Sequence, residues 1–171
     1  MIVDAATIIG MELRSYADAD LALTRALEID PIVMRHLGGV PAADRAQAVH
    51  DKRMAGVAAG DLYWTITPDQ GGEPVGLVAI WREEYEGAQI HEYGIMMRPE
   101  AHRQGLGLIA SREIIAAFRA SGKARELHAF SAIGNIATDT AGPILGFRQI
   151  GDVDLDYEGE PLRCHHWVLD L

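Results

Sequence analysis

Residues 98–109, Arg-Pro-Glu-Ala-His-Arg-Gln-Gly-Leu-Gly-Leu-Ile, join an apolar strand-like run at 93–97 to a helical pattern that continues to Phe118. Gly105 and Gly107 fall where the helix has to begin. Neither carries a side chain over its own N–H, and the first turn of a helix leaves backbone donors unpaired with a partial positive charge behind them. A strand feeding a helix through such glycines commits this part of the chain to an α/β arrangement whose loop is aimed at an anion. A phosphate or pyrophosphate is the natural guest.

The flanking pattern is consistent with that commitment. Residues 11–16 form a first strand, and Asp18 caps a helix carrying Leu21, Leu23 and Leu27 that ends near Asp30-Pro31. Pro31 opens a short helix over 32–37, Gly38-Gly39 stops it, and Pro41 starts a third, more polar helix reaching Ala59. The β-rich runs 62–67 and 75–81 then form a hairpin around 68–74, and a third strand, 88–97, follows the turn at Glu86-Gly87. Beyond the glycine loop, Ala110, Ile114, Ala117 and Phe118 share one helix side and Gly122 ends the helix. Residues 127–131 form a strand, Asn135 caps a short helix, and 147–155 with 162–169 close the chain as a strand pair. Strand, helix, strand in that order implies a parallel element in a mixed sheet.

At 171 residues the chain suits a single domain. Its 25 acidic and 15 basic residues give a net charge of -10, which disfavours nucleic acid and anionic membrane and favours a cationic partner. The single cysteine, Cys164, rules out an internal disulfide, the first basic residue is Arg14, and no apolar run approaches the ~20 residues of a membrane helix, so the expected location is cytoplasmic.

The run Glu92-Tyr93-Gly94-Ile95-Met96-Met97-Arg98-Pro99-Glu100, then His102-Arg103-Gln104-Gly105-Leu106-Gly107, resembles the fourth strand and phosphate loop of the GNAT superfamily of acetyl-coenzyme A dependent N-acetyltransferases. Asn135, Ala141, Leu145, Gly146 and Phe147 fit a second family block. Asp30-Pro31 and residues 34–39 resemble the branch that includes ribosomal-protein and aminoglycoside acetyltransferases. The resemblance covers nearly the whole chain. It implies one GNAT domain over 1–171, with a mixed, mostly antiparallel sheet of six to seven strands and helices on both faces. It also implies acetyl-coenzyme A as co-substrate without a metal, and a primary amine as acceptor, on a small cationic molecule or a protein N-terminus; a homodimer is compatible with it. The cofactor-binding positions carried over are Met96, Met97, His102, Arg103, Gln104, Gly105, Leu106, Gly107 and Asn135. The alternative reading is an acyl-coenzyme A-binding module that has lost turnover.

Two positions depart from the family pattern. His102 stands where Gln or Arg is usual, a change the main chain tolerates because it does the phosphate binding. Gly142, followed by Pro143, stands seven residues after Asn135, where many members place a tyrosine that protonates the departing thiolate. A proline inside a helix removes a donor and crowds the preceding turn, so the sequence predicts a break or kink there.

The two proton problems of acetyl transfer differ in size. Freeing a lysine-like amine of pKa ~10.4 at pH 7 costs about 4.6 kcal/mol, whereas a thiol of pKa ~8.5 leaves as the thiolate for about 2 kcal/mol. A base is therefore the residue to look for. By resemblance Glu92 is that base, directly or through water, and it reads equally well as a solvated strand carboxylate. His91 faces the other way by strand alternation. The backbone N–H near Met96 or Met97 would receive the oxyanion, which makes Met97 the second catalytic candidate. Asn135 reads as a helix cap, a cofactor contact, or both, and Tyr93 and Tyr157 read as core or interface aromatics that could also replace the missing acid.

Other constellations carry less. Gly105-Leu106-Gly107-Leu108-Ile109-Ala110 fits a dinucleotide fingerprint, but 99–104 separate it from its strand. Asp152, Asp154, Asp156 and Glu158 lack the glycine and final glutamate of a calcium loop, and read as a half-exposed strand or as a field for a cationic amine. Cys164, His165 and His166 alternate faces and make a poor zinc site.

Overall fold

Two-faced strands explain why the middle of the chain becomes a doubly covered sheet. The computed structural model describes residues 6–8, 10–39, 44–68, 72–157 and 159–171. In it, β3 (Leu62–Pro68) and β4 (Gly76–Tyr85) turn Trp64, Ile66, Val78 and Ile80 to one face and Tyr63, Leu77 and Ala79 to the other, all buried. The first set packs on Leu106, Ala110, Ile114, Ile115 and Phe118 of α4 (Leu106–Ser121). The second packs on Leu23 and Leu27 of α1 (Leu21–Glu28) and on Met54 and Val57 of α3 (Arg45–Ala58). Ile66, Val78 and Ile114 are wholly inaccessible, so truncating Ile66 or Ile114 to alanine costs about 2–5 kcal/mol.

Among the described residues the sheet has eight strands in the order β1-β2-β3-β4-β5-β6-β8-β7. The remaining strands are β1 (Ala6–Ile8), β2 (Met11–Ser15), β5 (Ala88–Met97), β6 (Glu126–Ala132), β7 (Arg148–Tyr157) and β8 (Glu160–Asp170). β5 and β6 pair in parallel and all other neighbours are antiparallel, giving the expected mixed, mostly antiparallel sheet with helices on both faces. The three-residue β1 adds an edge strand to the six or seven expected.

The β5–β6 junction positions everything that follows. Among the described residues its one registered pair is Glu92 with His128. Past that pair, β5 stays paired to β4 as far as Met97, and β6 to β8 as far as Ala132, while nothing pairs across the gap among the described residues. The sheet opens there into two wings with α4 at their mouth.

Local differences from the sequence expectations have simple causes. Asp18 begins a 3-10 turn (Asp18–Asp20), and the buried carboxylate is that of Asp20, held by Arg14 at 2.6 Å and by the Ala17 N–H at 2.8 Å. The short helix α2 (Pro31–Met34) is capped by Asp30, whose side chain accepts from the N–H of Ile32 and Val33. β4 runs on to Tyr85 because Glu86 and Gly87, at φ 51° and 77°, make a two-residue turn that carries pairing up to Tyr85 and Ala88. Pro41, residues 69–71 of the expected turn and Glu158 lie outside the described residues.

The break expected at Gly142 is corrected: α5 (Ile136–Leu145) runs unbroken through Pro143. Pro143 falls in the last turn, so its missing N–H deprives only one carbonyl of a partner. The helix end is closed by Gly146 at φ 94° and by the Phe147 N–H on Gly142 O at 3.0 Å.

Candidate active site

The loop before α4 ties itself down with side chains and leaves its main chain free. His102 Nε2 lies 3.1 Å from Met97 O, Gln104 Nε2 donates to Glu100 O at 2.8 Å, and Arg98 pairs with Glu100 at 2.7 Å. Gly105 sits at φ 78°, where glycine is favoured, and no side chain caps the helix. The first helical bond is Ile109 N–H to Gly105 O at 3.1 Å, so the N–H groups of Leu106, Gly107 and Leu108 point out of the helix. A Cβ at Gly107 would stand 3.2 Å from Ile95 Cδ1; its absence lets the helix start close against β5.

Beside this start lies a cavity of about 680 Å³ lined by Arg103, Leu108, Ile136, Ala137, Thr140, Ala141 and Ile144, between α4 and α5. Ile136 and Ile144 are 76% and 53% exposed, unusual for isoleucine unless something covers them. Outward N–H groups, Arg103 at the rim and an apolar trough fit the pyrophosphate and the less polar parts of coenzyme A. Asn135 is the cap residue by position, yet its side chain makes no capping bond; its carbonyl accepts from Thr138 Oγ1 and Asp139 N.

In the gap, alternation decides which groups face inward. The Arg98 N–H reaches Val75 O on the β4 side at 2.8 Å, so Met97 turns its own N–H and carbonyl toward the gap and Met96 turns its toward β4. The Met96 side chain lies on the α3 side, where Arg53 Nη2 is 3.5 Å from its sulfur; Arg53 is itself held by Thr24 and Glu28.

Glu92 shares that side. It is half-buried opposite Trp81, and no described residue gives its carboxylate a hydrogen bond or an ion pair. Burial pushes its carboxyl up to about 7, the nearby Glu83 carboxylate adds to the shift, and Lys52 opposes it. Lys52 stands 3.8 Å from Glu83, and Trp81 Nε1 donates to Glu83 at 3.3 Å. Glu83 and Lys52 were not picked out from sequence, although the two-residue turn at Glu86-Gly87 fixes the register and would have placed Glu83 on Glu92's face.

The opposite face of β5 is different. His91 packs on Phe118, with ring centroids 5.0 Å apart, as alternation required. Tyr93 is half-buried against Phe147 and hydrogen-bonds Ser111 at 2.6 Å, and burial pushes its hydroxyl up to about 12, which suits a core aromatic and not an acid. Tyr157 accepts from Arg45 at 3.0 Å, far along β7. Asp152, Asp154 and Asp156 bond His165, Arg163 and the Gly159 N–H, as an exposed strand and turn would. Among the described residues no three His, Cys, Asp or Glu side chains converge on a metal-sized site, and no helix is long and apolar enough to cross a membrane.

A strand that parts from its neighbour beside a glycine-started helix agrees with what family comparison finds. The model of the acetyltransferase (GNAT) domain matches residues 11–148. The chain belongs to the GNAT acetyltransferase family. Like other members of the family, the protein is an acyl-coenzyme A-dependent N-acetyltransferase. Solved GNAT structures share its fold along nearly their whole length. A GNAT-family acetyltransferase from Bacillus anthracis superposes with a TM-score of 0.77 at 16% identity, covering 99% of this chain and 98% of that one. The spermidine N-acetyltransferase of Vibrio cholerae, solved with CoA and spermine, gives 0.75 at 14% identity over 95% and 96%. The ribosomal-protein-alanine N-acetyltransferase of Brucella melitensis gives 0.74 at 20% identity over 93% and 99%. No curated protein matches the sequence.

Proposed function

We propose that this acetyltransferase moves the acetyl group of acetyl-coenzyme A directly to a primary amine, on a small cationic molecule or a protein N-terminus, with Glu92 as general base. The observation that carries the reading is an unpartnered carboxyl, pushed up to about 7, at the last β5–β6 pair. A carboxyl at its ordinary value of 4.5 lies about 5.9 units below an amine of pKa ~10.4, an uphill transfer of about 8 kcal/mol; at 7 the gap falls to about 3.4 units, or about 4.6 kcal/mol. At pH 7 this costs only a factor of about two in the ionised fraction.

The remaining parts have matching places. The N–H groups of Leu106, Gly107 and Leu108, with Arg103, Gln104, His102 and Asn135 around them, would hold coenzyme A, which supplies the activated acetyl group. The Met97 N–H facing the gap would receive the developing oxyanion. The chain's net charge of -10 favours a cationic acceptor, and spermidine and ribosomal-protein acetyltransferases among its structural neighbours bracket the two acceptor kinds.

Thiol release from acetyl-coenzyme A, followed with a panel of polyamines, aminoglycosides and N-terminal peptides, tests the reading. Release that depends on amine and saturates with one class supports it. Tight coenzyme A binding with no amine-dependent release contradicts it in favour of a binding module.

A further inference from the structure

The missing tyrosine leaves open what stabilises the departing sulfur. Gly142, at the tyrosine position, faces Trp167: a Cβ there would sit 3.5 Å from the indole, in ordinary van der Waals contact. The indole in turn donates its N–H to Ser131 Oγ at 2.9 Å. Ser131 is buried on β6, three residues beyond the His128 that pairs with Glu92, on the wall of the gap across from residues 95–97.

Its hydroxyl differs from those around it. Ser111, Ser121, Thr138 and Thr140, on the flanking helices, already donate to the carbonyls of Gly107, Phe118, Asn135 and Ile136. Ser131 only accepts among the described residues, and its own O–H has no acceptor. A hydroxyl that accepts one hydrogen bond is polarised to donate another more strongly. Tyr93 is tied to Ser111, and Cys164 alternates with His165 onto the sheet face opposite Trp167.

We propose that Ser131, oriented by Trp167, donates a hydrogen bond to the coenzyme A sulfur as the acetyl group leaves, stabilising as an anion the thiolate that the family tyrosine would protonate. The inference rests on the acetyl-transfer reading above. The ammonium gives one proton to Glu92, which passes it to water before the neutral amine attacks; as the C–N bond forms and the C–S bond breaks, the electron pair goes to sulfur and the second nitrogen proton goes to Glu92. Ser131 keeps its proton, because a hydroxyl is a much weaker acid than a thiol. The thiolate takes up a proton from water after it leaves. Ser131 is thus a catalytic residue by contact, and Trp167 a positioning residue acting through it.

The test is the acidity of the bound thiol, read from the ultraviolet absorbance of the thiolate in the coenzyme A complex across pH. The wild type is expected to hold the thiol below the value of free coenzyme A titrated alongside, and Ser131→Ala to raise it by about one unit or more with a tenfold to hundredfold fall in kcat. Ser131→Thr restores both, and Trp167→Phe moves both part of the way. If Ser131→Ala leaves the indole N–H unsatisfied and fails to fold, the double variant with Trp167→Phe removes both partners and carries the same expectation. A thiol that titrates identically with and without the hydroxyl overturns this inference alone. A chain that binds no coenzyme A overturns the acetyl-transfer reading as well.

Discussion

Glu92 and Tyr93 are consecutive residues of β5, both taken out of water and both pushed toward their neutral forms, one to about 7 and the other to about 12. The same physical cause has opposite consequences. Tyr93 faces α4, its hydroxyl is bonded to Ser111 and its ring leans on Phe147, so its titration moves further from neutrality. Glu92 faces the other way, where no protein group satisfies its carboxylate, and its titration moves into the range where a base exchanges protons at pH 7. Desolvation by itself does not mark a catalytic group. Desolvation without a partner, beside an opening in the sheet, is what supports the proposal for Glu92.

That contrast can be broken by substitution. Glu92→Gln keeps the shape and removes the base, and kcat/KM for the amine is expected to fall by about 10²–10⁴ in steady-state assays at pH 7.5–8; a fall below threefold would return Glu92 to the status Tyr93 has. The same variant tests the cost of holding the carboxylate. The folded-state value is raised above the ordinary 4.5, so the folded chain binds this proton more tightly than the unfolded one. Wild-type stability from this group is therefore present below pH 4.5 and lost as pH rises to about 7. Thermal unfolding at pH 8 should show Glu92→Gln more stable than wild type by about 1–3 kcal/mol, with the difference shrinking toward pH 5. Tyr93→Phe should do the least: about 0.5–1.5 kcal/mol of stability lost with its hydrogen bond, and kcat within about twofold of wild type. A large fall in kcat with unchanged stability would erase the distinction between the two faces.

Much of this was legible in the sequence wherever the signal was local. The loop from Arg98 to Gly107 and the helix closed by Gly122 announce themselves through glycines, and the alternation of β5 already separated His91 from Glu92. What escaped was set by distance along the chain. The parting of β5 from β6 depends on pairing between residues 36 apart, Glu92 and His128, and Ser131 meets Trp167 across another 36. The break or kink expected at Gly142, ahead of Pro143, failed for a different reason. The rule about proline is sound in a helix interior, but here the residue falls within the final turn, where the end is closed by Gly146 and Phe147. Glu83 was within reach, since the turn at Glu86-Gly87 sets the pairing that puts it beside Glu92.

The pH dependence of kcat/KM for the amine, at saturating acetyl-coenzyme A, compared between the wild type and Glu92→Gln, tests the central claim most directly. The wild type should gain activity as pH rises through about 7, as the Glu92 carboxyl ionises, and Glu92→Gln should lack that limb. Profiles of the same shape with the limb at the same pH in both proteins would show that Glu92 does not take the proton.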